Sequence, residues 1–79
     1  NSDTRIRFYM PGPGPVSLSV YDAGGRRVRG LLHNAVAAGW HEVPWAGETD
    51  SGGRAASGVY FCRLETAGYR KAVIMQLVR

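Results

Sequence analysis

The chain has one cysteine, Cys62, so no disulfide can form within it, and its stability must come from packing. It lacks any apolar run of about eighteen residues and any signal-peptide pattern, so no membrane insertion is expected. Basic residues outnumber acidic ones ten to six, yet they are scattered and form no block, which reads as a solvated surface. Histidine is scarce, and neither His33 nor His41 stands at a metal-ligand spacing from Cys62 or from a carboxylate. No nucleophile is paired with a base and no two carboxylates are set for acid–base work, so the chain is not expected to be an enzyme. No metal site and no cofactor are expected. Glu48-Thr49-Asp50-Ser51-Gly52 resembles a calcium loop only in part, because the later bidentate carboxylate is missing, and it reads as a turn. Asn1 stands where an initiator methionine would, which suggests a processed or excised chain.

Seventy-nine residues allow one domain, expected over residues 1–79, and a chain this short buries only about 60% of its unfolded surface. Hydrophobic residues at 44% and eight aromatics suffice for a core. Fifteen glycines and prolines fall in clusters that separate short apolar stretches, the punctuation of an all-β domain. Thr4–Met10 alternates Ile6, Phe8 and Met10 with Arg5, Arg7 and Tyr9, which predicts a strand with one buried face. The prolines at 11, 13 and 15 predict a turn or linker, and Val16, Leu18 and Val20 then predict a second strand. Asp22-Ala23-Gly24-Gly25 predicts a tight hairpin into a less regular third strand over 26–32, followed by a loop over 33–38. His41, Val43 and Trp45 share one face of a fourth strand whose Pro44 suggests a sheet edge. A short extended piece at 54–56 is the candidate for an extra strand. Tyr60, Cys62 and Leu64 line the inner face of the next, and Val73, Met75 and Leu77 that of the last. No stretch has a helical period of useful length. Six or seven strands at regular spacing point to an antiparallel β-sandwich.

Three segments carry a more specific signal: VSLSVYDAGGRRVRGL (Val16–Leu31), AGWHEVPWAGETDSGGRAASGVYFCRLE (Ala38–Glu65) and KAVIMQLVR (Lys71–Arg79). Together they resemble the immunoglobulin-like domain of the flagellar hook-capping protein and the similar C-terminal sorting domains of type IX secretion cargo. The likeness includes the TRIRFYMPGPGPV opening (Thr4–Val16) and so covers nearly the whole chain. It departs where the family has Trp-Asp-Gly and this chain has Trp45-Ala46-Gly47, which removes a side-chain acceptor from that turn. Cys62 also stands where the family favours an aromatic or aliphatic residue.

The resemblance implies an immunoglobulin-like antiparallel β-sandwich of about seven strands, and a non-catalytic accessory domain, secreted or at the cell surface, working as a C-terminal sorting or anchoring module. For sorting, the address would lie in the last strand, at Lys71, Val73, Met75, Leu77, Val78 and Arg79. The alternative is a self-assembling structural subunit of an extracellular filament or flagellar-type assembly, and a homo-oligomer would follow from it. Partners are therefore proteins, either export machinery or neighbouring subunits. With Val73, Met75 and Leu77 inward, Ile74 and Val78 point outward beside Val59 and Phe61, and these four form a candidate exposed interface. Arg5, Arg7, Arg27 and Arg29 with Tyr9 and Tyr21 could line a nucleic-acid face, and Trp40 could serve as a glycan platform. A solvated sheet is the better reading of these residues, and no nucleic-acid partner is expected.

Overall fold

The computed structural model describes residues 4–78. Six strands follow in order: β1 (Thr4–Met10), β2 (Gly14–Asp22), β3 (Arg27–Val36), β4 (Gly39–Trp45), β5 (Gly58–Thr66) and β6 (Arg70–Leu77). All pairings are antiparallel. One sheet has the order β3-β2-β5-β6, and the other is the pair β1-β4. The two pack as a sandwich. Their inner faces supply Ile6, Phe8 and Met10 from β1, Leu18 and Val20 from β2, Trp45 from β4, Tyr60 and Cys62 from β5, and Met75 and Leu77 from β6. Period-two burial in β1 and β5 is the direct product of their alternating sequences, while in β2 Ser19 is buried between Leu18 and Val20.

Six strands replace the expected seven. The piece at 54–56 makes only one isolated bridge, Arg54 to Glu48, because the loop is drawn inward at its start and finish. The Trp45 indole N–H donates to the Glu48 carbonyl at 2.9 Å, and the Ala55 N–H donates to the Gly47 carbonyl at 2.8 Å. The loop is also tied to β3, where Asp50 N–H donates to the Val28 carbonyl at 2.8 Å and Gly30 N–H donates to the Asp50 carboxylate at 2.9 Å.

Two boundaries differ from those the sequence suggests. β2 begins at Gly14 and includes Pro15, which is tolerated because β5 pairs with β2 only from Val16 onward, leaving one edge of Pro15 without a ladder partner. β3 extends through 33–36, expected as a loop, because Gly14 and Pro15 pair with Val36 and Ala35. Those residues show no alternation because β3 is an edge strand and His33, Asn34 and Ala35 are exposed. The irregularity of β3 has a concrete origin. Its pairing with β2 slips at Leu18/Ser19 and again at Val20/Tyr21, so Val28 and Leu31 lie at bulges and both pack against the core.

Val73 corrects the expected inner face of the last strand. It lies opposite Cys62 in register, yet it is 43% exposed, whereas Met75 and Leu77 are buried. A sheet of two strands is too narrow to cover all four strands opposite it, and the first half of β6 lies beyond its edge.

Candidate functional site

The outer face of the four-stranded sheet carries a row of three residues set directly opposite one another: Tyr21 on β2, Phe61 on β5 and Ile74 on β6. Ile74 is 70% exposed, Val59 and Val78 are exposed, and Phe61 is half-buried between its neighbours. The Arg63 guanidinium lies 4.7 Å from the Tyr21 ring centroid and covers one end of the row. A shallow hollow of about 210 Å³ opens beside Tyr21, Phe61 and Arg63. Apolar side chains clustered on an edge strand present both a contact patch and unpaired backbone groups, the combination that protein partners use.

The residues of the last strand divide by position along it as well as by face, since Lys71 and Val73 share a face with Met75 and Leu77. Met75 and Leu77 are buried, while Lys71, Val73 and Val78 are exposed. Arg79 lies outside the described residues. The proposed basic-aromatic face is not assembled: Arg5, Arg7 and Tyr9 lie on the small sheet, and Arg27, Arg29 and Tyr21 on the large one. Arg27 is held by Asp50 at 3.1 Å, and Arg29 donates to the Thr49 carbonyl at 2.8 Å. Trp40, 65% exposed, sits against Tyr9 with a 5.3 Å centroid separation and under the Arg7 guanidinium at 5.0 Å.

The histidines and the cysteine make structural contacts. The His41 ring stacks on Phe8 at 5.3 Å, and its Nε2 lies 2.7 Å from the Ala37 carbonyl. His33 lies on β3, with Nδ1 3.2 Å from the Ser17 hydroxyl. Cys62 is buried, and burial pushes its thiol up to about 11, so it stays protonated near neutral pH. Among the described residues no three His, Cys, Asp or Glu side chains gather into a metal-binding group.

The hairpin aspartate behaves as its motif requires. Asp22 Oδ1 accepts from Gly24 N–H at 3.0 Å and Arg26 N–H at 2.9 Å, while Gly25 takes the positive φ of 86° that closes the turn. The acceptor lost at Ala46 is recovered two residues on, where Glu48 Oε1 accepts the Ala46 N–H at 3.0 Å. Asp50 was not recognisable as an anchor from its sequence context. Its role depends on β3 arriving beside it, a contact twenty residues away in the chain.

The Arg26 amide is the main cause holding Asp22 below the ordinary carboxylate value of 3.8, and the Gly30 amide does the same for Asp50, with Arg27 adding to it. Both groups thus ionise more readily in the folded chain. Their stabilisation is fully present above the ordinary value and is lost as the pH falls below 3.8 and through the depressed folded values. The thermal midpoint is therefore expected to drop as the pH falls below about 4, and an Asp22→Asn/Asp50→Asn double variant to show a shallower drop. Equal slopes for the two proteins would assign acid sensitivity to other carboxylates.

Among curated proteins, none matches this chain. A solved structure described as FlgD from P. aeruginosa superimposes with a TM-score of 0.72 over 95% of this chain at 24% identity, which establishes a shared fold. The chain spans 60% of the length of the chain in that structure. The sequence model of the FlgD Ig-like domain matches residues 1–68, which takes in the strands from β1 through β5 and the hairpin, turn and loop described above; the chain belongs to the FlgD Ig-like domain family.

Proposed function

We propose that the chain is a non-catalytic structural module of an extracellular assembly of the flagellar hook-cap kind, and that further copies of it pack through the outer face of β5 and β6. The observation that carries this reading is the Tyr21–Phe61–Ile74 row with Val59 and Val78 beside it, facing outward and running across the sheet to its edge strand β6. Family membership supports the structural role. The contact residues are Val59, Phe61, Ile74 and Val78. An address for export in the last strand has less support, because Met75 and Leu77 are committed to the core and only the intervening positions could be read. No helix among the described residues is long and apolar enough to cross a membrane.

Light scattering across a concentration series tests the reading. The mass of the wild-type chain is expected to rise with concentration, while a Val59→Lys/Ile74→Lys variant stays at one chain with an unchanged thermal midpoint, both residues being exposed. A wild-type mass fixed at one chain throughout overturns self-assembly through this face.

A further inference from the structure

The narrowness of the small sheet leaves an opening on the flank of the sandwich. Along the free edge of β1 a cleft of about 440 Å³ runs into the gap between the sheets, with Ile6, Phe8, Cys62, Leu64 and Val73 on its apolar inner side. Among the described residues β1 pairs with β4 alone, so its second edge carries unpaired backbone groups. The Tyr69 hydroxyl donates to the Tyr9 carbonyl at 3.2 Å and thereby identifies which residues face that edge. Alternate residues of a strand turn their N–H and C=O groups to the same side, so Arg5 and Arg7 present theirs to the cleft along with Tyr9.

The same edge separates two chemistries. Side chains entering the gap from a strand laid along β1 would meet Val73, Leu64 and Phe8. Those pointing the other way would lie beside Arg5 and Arg7 on the outer face, and Lys71 stands on the far rim. Glu42 answers Arg5 at 3.4 Å, but Arg7 and Lys71 hold no carboxylate partner among the described residues. A second copy is a poor occupant. The edge strands near this opening carry Arg5 and Arg7 in β1 and Arg70 and Lys71 in β6, so pairing copies there would set like charges side by side.

We infer that this cleft receives an extended segment of another protein whose residues alternate apolar and acidic, added as a strand to the free edge of β1. Backbone pairing with Arg5 and Arg7 supplies the anchorage, the apolar residues fill the gap over Val73, and the acidic ones meet Arg7 on the outer face. This surface is separate from the β5–β6 face, and the inference stands without the assembly proposed for that face.

The test uses the chain with three short capped peptides: one alternating valine with glutamate, one alternating valine with lysine, and one with the valines and glutamates in separate blocks. Trp40 fluorescence follows binding, and hydrogen exchange at the Arg5 and Arg7 amides reports strand addition. The glutamate peptide is expected to bind about ten-fold or more tightly than either control and to slow exchange at both amides. Arg7→Glu is expected to shift the preference toward the lysine peptide. Val73→Lys, at a position exposed enough to leave the fold intact, is expected to weaken binding about ten-fold without altering self-association. No binding, equal binding of the glutamate and lysine peptides, equal binding of the block peptide, or unchanged exchange at Arg5 and Arg7 each overturns the inference. Loss of self-association in Ile74→Lys with peptide binding intact separates this site from the β5–β6 face.

Discussion

Trp45→Ala is expected to leave about half or more of the chain unfolded at room temperature. The side chain is 1% exposed, sits between the sheets, and meets the Tyr60 ring edge-on at 5.2 Å. Its indole N–H also closes the turn after β4 by donating to the Glu48 carbonyl. Truncating a buried tryptophan costs about 3–5 kcal/mol, and a core in a chain of this size supplies a net stability of about the same amount. The two quantities cancel, so far-UV circular dichroism should lose about half or more of its strand signal and urea titration should show little folded baseline. Trp45→Phe keeps most of the ring burial and gives up the hydrogen bond and some packing, for a cost of about 1–2 kcal/mol and a cooperative transition at lower urea. A cooperative wild-type transition in Trp45→Ala would mean that the two sheets hold together without their central ring.

The reason Trp45 could be picked out without a structure is the same reason Val28 could not. Trp45 ends a stretch in which His41, Val43 and Trp45 alternate with Trp40, Glu42 and Pro44, and β4 pairs with β1 in unbroken register, so the period survives into the fold. β3 pairs with β2 through two slips, and each slip breaks the period of two at the position where it occurs. A bulge is chosen by the partner strand as much as by the strand that carries it, and the partner is not adjacent in sequence. The candidate contact residues Ile74 and Val78 follow directly from alternation in β6, since Met75 and Leu77 between and beside them are buried. The flank cleft had no such signal. It exists because one sheet has four strands and the other two, and alternation describes a single strand without counting how many others lie across from it.

The last strand separates alternation from burial in one experiment. Leu77 and Val73 share a face by spacing, but Leu77 is 1% exposed opposite Gly58 and Val73 lies at the open flank. Leu77→Ala is expected to cost about 2–5 kcal/mol, since it removes a fully enclosed side chain and the glycine opposite offers nothing to refill the space. Val73→Ala should fall within about 0.5 kcal/mol of wild type, as at an ordinary surface position. Urea denaturation of both variants measures the difference as a shift in midpoint. Equal large losses would place Val73 under cover, meaning that the gap over β6 is closed by the chain itself. The cleft would then be lost as a receptor for an added strand, while the outward row at Phe61 and Ile74 would be unaffected, because it lies on the opposite face of the same sheet.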